Sequence, residues 1–165
     1  QKGIDYDYGL MINFRQIYIS PEQIKERDFS KERIIKDGSK KLIDSNGKEV
    51  IDEKGKVVMV DNLRKVTANI YEFRQFKSCQ ITAKIDYINF RNNQLLKTFP
   101  ITSEYVFENI YATYKGDRRA SDDNYYSYFD RKAVIFLNSE QMIYDTGEDL
   151  KDKVKNIITQ NRFQN

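Results

Sequence analysis

The chain of 165 residues contains no histidine and no tryptophan, one cysteine, two prolines and seven glycines. Without histidine the Ser-His-Asp and Cys-His arrangements cannot be built, nor can a His-containing zinc site, and the commonest general base at neutral pH is missing. A lone Cys79 excludes an intramolecular disulfide and any all-Cys metal site. Its place in a strongly alternating segment marks it as a small core residue, because free cysteine packs as a small hydrophobe. No apolar run approaches the roughly 20 residues of a transmembrane helix, and no signal peptide is visible. Lys and Arg outnumber Asp and Glu by 28 to 25, for a net charge of +3. The signs are interspersed, so the surface lacks the concentrated basic stripe that captures nucleic acid.

What the chain does have is alternation. From Val66 to Tyr114 it reads almost continuously as β-strand. In Cys79-Gln-Ile-Thr-Ala-Lys-Ile-Asp-Tyr87, the residues Cys79, Ile81, Ala83, Ile85 and Tyr87 face one way, and Gln80, Thr82, Lys84 and Asp86 the other. Strands are expected at Leu10–Ser20, Val57–Val60, Arg64–Phe76, Cys79–Phe90, Gln94–Phe99 and Thr102–Tyr114, with Asn92-Asn93 as a turn. Pro100 marks a bulge, an edge or a strand boundary. Residues 1–9 read as a tail or linker, and Ser20-Pro21-Glu-Gln23 as the start of a short helical turn. Ile24–Lys36 reads as a connecting loop or an irregular edge strand. An eight-residue repeat, Asp44-Ser-Asn-Gly47 and Asp52-Glu-Lys-Gly55, reads as successive tight turns rather than a calcium loop, since the Asp-x-Asp-x-Asp-Gly pattern and the distal Glu are missing.

Beyond Gly116 the pattern changes. Ser121–Asn124 is expected to cap a short helix carrying Tyr125, Tyr126, Tyr128 and Phe129. Ala133–Leu137 reads as a short strand or buried connector. Thr146-Gly-Glu-Asp149 reads as the start of a helix of about 146–161, with Leu150, Val154, Ile157 and Ile158 on one apolar stripe, and Ser139 as the start of a preceding turn or an extension of this helix that carries Met142 and Ile143 on the buried side. The fold expected is therefore mainly β: an antiparallel, sandwich-like domain over residues 10–165 with short helices and a C-terminal helix. The alternative is a single α+β sheet with the helix on one face.

The candidate interaction residues are Arg118, Arg119, Tyr125, Tyr126, Tyr128 and Phe129. A guanidinium fork can grip a carboxylate or phosphate, and clustered tyrosines can anchor a protein or stack on sugar rings. The competing reading gives one of the two arginines to a structural pair with Asp117 that pins the connection between sheet and helix, and the rings to the core. Glu104/Glu108, Asp122/Asp123 and Glu148/Asp149 are carboxylate pairs of the kind a glycosidase uses, but nothing in the sequence singles one out. No catalytic residue, cofactor or metal ligand is assigned, and the chain is read as non-enzymatic.

Two stretches, Asn93–Glu108 running into Tyr111-Ala-Thr-Tyr-Lys-Gly-Asp-Arg-Arg-Ala120, and Ser139–Leu150, resemble uncharacterised cell-envelope proteins, often lipoproteins, of Bacteroidetes bacteria. In those a β-rich region ends in a Gly-Asp-Arg-Arg-Ala-type segment and a terminal helix. The resemblance implies an extracytoplasmic place in the periplasm or at the outer membrane, and an envelope or outer-membrane protein as partner. It implies the role of a scaffold or protein-binding module in such an assembly. A carbohydrate-binding module using the Tyr cluster is the alternative, and oligomeric state is left open. Lipoproteins carry a lipidated Cys at the mature N-terminus where this chain has Gln1, so the resemblance puts any lipid anchor before Gln1.

Overall fold

The computed structural model describes residues Tyr6–Asn161 and Phe163. The antiparallel, mainly β expectation is met, and of the two layouts the chain adopts the single open sheet carrying a C-terminal helix. Four strands make it: β1 (Tyr8–Ile19), β2 (Gln23–Lys41), β3 (Met59–Asn89) and β4 (Gln94–Gly116). β1, β2 and β4 all hydrogen-bond to β3. A 3-10 turn (Arg118–Ala120) and two helices follow, α1 (Asn124–Phe129) and α2 (Ser139–Gln160).

The chain forms two compact units, and β3 and β4 contribute to both. The first comprises Gln1–Ile24, Gln75–Asn109 and Val134–Asn165. Here β1 runs antiparallel to β3, from Tyr8 opposite Asn89 to Ile19 opposite Cys79, with a bulge at Arg15 between Phe14 and Gln16. Cys79, Ile81, Ala83 and Ile85 line one face of β3, as their alternation dictates, and pack with Ile101, Met142 and Leu150. α2 thus lays Leu150, Val154 and Ile157 of its expected stripe on the sheet, while Ile158 stays 46% exposed. Lys153 fastens it further, pairing with Asp149 at 2.8 Å and donating to the Thr102 carbonyl at 2.8 Å.

The second unit comprises Lys25–Arg74 and Ile110–Ala133. Cross-strand pairs Arg27–Glu72, Glu32–Lys65 and Lys36–Asp61 fall in β3 as they rise in β2, the mark of antiparallel pairing. Between the strands the eight-residue repeat makes two tight turns. Asp44 Oδ1 accepts from the Asn46 and Lys48 amides, Asp52 Oδ1 from those of Lys54 and Lys56. Gly47 and Gly55 take φ of 80° and 74°, where a Cβ is strained. The Val50 amide donates to the Leu42 carbonyl, Leu42 to Val58 and Val58 to Val50, closing a ring of three extended segments.

Several expected boundaries move. The separate strands Val57–Val60, Arg64–Phe76 and Cys79–Phe90 become the single 31-residue β3, apart from Val57–Val58 and Phe90 at its ends. Gln94–Phe99 and Thr102–Tyr114 likewise join through Pro100, tolerated because among the described residues β4 pairs with β3 alone. Ile24–Lys36 is regular strand, and Ser20-Pro21 starts no helical turn. Ser20 instead clasps β3: its amide donates to the Ser78 carbonyl and its hydroxyl accepts from the Ser78 amide, both at 2.9 Å. Tyr8 and Gly9 belong to β1 rather than to a tail, while residues 1–5 lie outside the described residues. α2 begins seven residues before Thr146 because Asn138 caps it, its side chain accepting from the Gln141 amide at 2.7 Å. Ala133–Leu137 is neither strand nor buried run. It is an extended connector held by Gln75, whose side chain exchanges two hydrogen bonds with Val134, and by Lys77, which donates to the Leu137 carbonyl. Among the described residues no helix is long and apolar enough to cross a membrane.

Met142 is fully buried at the helix–sheet contact, whereas Ile135 on the connector is 93% exposed. Met142→Ala is expected to cost about 2–5 kcal/mol in urea unfolding, and Ile135→Ala to stay within about 0.5 kcal/mol of wild type.

Candidate functional site

The Gly-Asp-Arg-Arg-Ala segment turns the chain out of β4. Gly116 has φ of 110°, and a Cβ there would lie 2.4 Å from the Thr67 carbonyl oxygen, so only glycine fits. Asp117 donates its amide to that same oxygen and caps the 3-10 turn, its side chain accepting from the Arg119 amide at 2.9 Å. Ala120 then drops into a small core with Val66 and Ala68. The Arg119 guanidinium folds back on Asp117 at 2.7 Å through Nη2 and 3.0 Å through Nε, and reaches Asp37 at 3.4 Å. Its hydrogen bonds, with that of the Arg119 amide, hold the Asp117 carboxyl down at about 2. Asp117 in turn raises the Arg119 guanidinium above its ordinary value.

Arg118 takes a different course. Its guanidinium lies over the Tyr126 ring at 4.8 Å and the Phe129 ring at 5.8 Å, and it donates to the Tyr126 carbonyl at 3.2 Å. Asp130 lies 3.5 Å away. α1 forms where it is expected, over Asn124–Phe129, although the Asp123 side chain makes no capping bond. Tyr125 is its buried residue, edge-on to Phe29 at 5.6 Å and to Tyr128 at 5.4 Å. Phe129 meets Tyr114 at 4.7 Å, and the Arg131 guanidinium lies over Tyr128. The structure therefore places all six candidate residues in the second unit, five of them on or against α1, while Arg119 turns to Asp117 and Asp37. It turns Tyr125 inward and places a cation over each of Tyr126 and Tyr128.

Two residues join the cluster that the sequence did not single out. The Tyr125 hydroxyl donates to Glu72 at 2.5 Å, and Arg27 bridges both, at 3.0 Å from the carboxylate and 2.9 Å from the hydroxyl. Burial, then the bond to Glu72, pushes the Tyr125 hydroxyl up; Glu72 raises Arg27. Beside this triad opens a cleft of about 270 Å³ lined by Arg27, Asp28, Phe29, Lys31, Asp122 and Tyr125, with Lys31 and Asp122 paired at 3.1 Å. Arg27 and Glu72 were hidden among many charged strand residues. Only the register of β2 on β3 singles them out. As chemistry, the triad is closed on itself: the carboxylate accepts from both neighbours, which orders α1 against the sheet.

A second surface lies on β1, in the first unit. Ile12, Phe14 and Ile17 stand opposite the core residues Ile85, Ala83 and Ile81, on the face that α2 covers further along. Yet they remain 45%, 63% and 53% exposed, while Leu10 and Ile19 at the ends of the strand pack on the core. β1 ends the sheet's strand order, and Arg15 is the single charge among its 12 residues. β2 also ends that order, but more than half of its 19 residues are charged. Charges on an edge strand deter pairing with foreign strands, and β1 lacks them. The signal was visible in the sequence as this contrast between two strands of the same sheet.

Neither models of known protein families, nor curated proteins, nor solved structures match this chain.

Two outcomes follow from the α1 cluster. A carboxyl held below its unfolded value of 3.8 contributes stability above that pH and loses it as pH falls toward about 2. Asp117→Asn keeps the capping acceptor but removes the charge, so its thermal stability is expected to fall less than that of wild type between pH 4 and pH 2. Scanning calorimetry across that range checks it. Tyr125→Phe leaves Glu72 and Arg27 paired and loses two charge-assisted hydrogen bonds, the one to Glu72 and the one from Arg27, an expected cost of about 1–3 kcal/mol in chemical denaturation.

Proposed function

We propose that this chain is a non-enzymatic interaction module of the bacterial cell envelope, a scaffold or accessory part of an outer-membrane-associated assembly that docks through the edge of β1. The observation that carries the docking surface is that apolar, almost uncharged strand at the end of the sheet. Large exposed apolar rows on soluble chains mark interaction sites. An unprotected strand edge adds backbone hydrogen bonds to whatever strand it meets. The envelope location rests on the resemblance of the segments around Gly116–Ala120 and Ser139–Leu150 to envelope proteins.

The α1 cluster supports the same reading from the other side. Its cations and rings are spent on one another, and this suits a rigid module better than a substrate site.

The test is capture from detergent-solubilised envelopes. Wild type is expected to recover a defined complex under several mild detergents. A variant carrying Ile12→Lys and Ile17→Lys, confirmed folded by circular dichroism, is expected to lose it. Equal recovery by both proteins would remove β1 as the docking surface, and recovery of monomer alone would count against the module itself.

A further inference from the structure

We infer that the strand which completes the β1 edge is β1 of a second copy, paired antiparallel about a two-fold axis. This rests on the docking surface proposed above and names its occupant. The argument comes from the order of side chains along the strand. Reading outward from its middle, Phe14 mirrors Arg15, Asn13 mirrors Gln16, Ile12 mirrors Ile17, Met11 mirrors Tyr18 and Leu10 mirrors Ile19. In an antiparallel two-fold pair these are the residues that face one another, and every pair matches in kind. Apolar meets apolar, amide meets amide, and the one cation of the strand meets an aromatic ring, an attractive contact.

The bulge is what makes the mirror work in three dimensions. Along an unbroken strand Ile12 and Ile17, an odd number of residues apart, would point to opposite faces. The extra residue at Arg15 resets the alternation, so that Ile12 and Phe14 before it, and Ile17 and Ile19 after it, all stand opposite core-facing residues of β3. Leu10–Ile19 and Ile12–Ile17 of the two copies then form one apolar row on the helix-covered face, and Met11–Tyr18 and Asn13–Gln16 fall on the other. Shifting the register by one residue in either direction fails. One way sets Ile12 against Gln16 and Asn13 against Arg15; the other sets Arg15 against Arg15 of the second copy, a like-charge pair that destabilises directly opposed positions. Self-complementarity in one register is what an isologous two-fold interface requires.

Sedimentation velocity from low micromolar to near-millimolar concentration reads the association directly. Wild type is expected to shift from monomer to dimer, and Ile17→Lys to raise the dissociation constant about tenfold or more, since a charge replaces one member of each apolar pair. Ile135→Lys, on the exposed connector, is the control and leaves the dimer unchanged. Register is read by cross-linking: Ile12→Cys mixed with Ile17→Cys gives a covalent dimer on mild oxidation, and either variant alone gives little. The native Cys79 is buried and stays out of the reaction. If Ile17→Lys fails to fold, the cross-linking pattern decides. A wild type that stays monomeric throughout, a dimer indifferent to Ile17→Lys, or cross-links that form as well between like variants would each overturn the pairing. A monomeric wild type that still captures an envelope protein through β1 overturns self-pairing alone. Loss of both overturns the docking surface as well.

Discussion

Among the described residues every other strand hydrogen-bonds to β3, and that dependence organises the rest of the structure. A strand buried in a sheet must satisfy donors and acceptors along both edges, because an unpaired buried backbone group costs as much as a lost hydrogen bond. β3 is 31 residues long, so one partner strand of ordinary length cannot cover an edge. The 23-residue β4 and the two successive strands β1 and β2 supply the coverage instead. Ser20 marks the join between β1 and β2: it pairs with Ser78 through both its amide and its hydroxyl, and Pro21, which has no amide to leave unpaired, follows it.

The same long strand explains the buried polar groups. Gln75 and Lys77 lie on the face of β3 that further along carries Cys79, Ile81, Ala83 and Ile85, and both are almost fully buried. Apolar residues there would leave the connector to α2 with nothing to hold its backbone. Gln75 acts as a piece of strand: its carbonyl accepts from the Val134 amide while its amide donates to the Val134 carbonyl, and the carbonyl also accepts from Asn109. Lys77 keeps its charge in company by meeting Glu22 at 3.1 Å and the Leu137 carbonyl at 2.9 Å. Burying such groups is costly unless every bond is made. Made together, these bonds place Asn138, the cap from which α2 starts toward its apolar seat on the sheet.

How much of this could be read beforehand depended on whether the cause was local. The alternation of Cys79–Tyr87, the turns at Asp44–Gly47 and Asp52–Gly55, the corner at Gly116 and the short helix after Asp123 are written in neighbouring residues, and all were legible. The single length of β3 was not, because Lys77 and Ser78 interrupt its apolar alternation and are rescued only by distant partners. The early start of α2 is left undecided between a separate turn at Ser139 and an extended helix for a related reason. Thr146-Gly-Glu-Asp149 looks like a beginning, but Thr146 is buried within the helix and its hydroxyl donates to the Met142 carbonyl one turn back. Of the candidate cluster, the gathering of Arg118 and the rings around α1, and the pairing of Arg119 with Asp117, were foreseeable from spacing. Its closing by Arg27, Glu72 and Asp37 was not, since those residues arrive from strands whose register no local pattern gives.

The two strands at the ends of the sheet's order set the limit on what composition can say. Among the described residues β2 and β1 present the same hazard, a strand edge that no other strand pairs, and they meet it in opposite ways. β2 spreads charge along its length and ties several of those charges to β3, by Arg27–Glu72, Glu32–Lys65 and Lys36–Asp61. A foreign strand pairing there would have to desolvate them. β1 holds its one charge at a bulge and offers isoleucine and phenylalanine elsewhere. A bulge on an edge strand is ordinarily read as a guard, a kink that spoils pairing. On β1 it has the contrary effect, because it is the step that brings Ile12 and Ile17 to one face. An edge left bare, with its irregularity placed where it restores a continuous apolar row, is the feature on which the proposed docking rests.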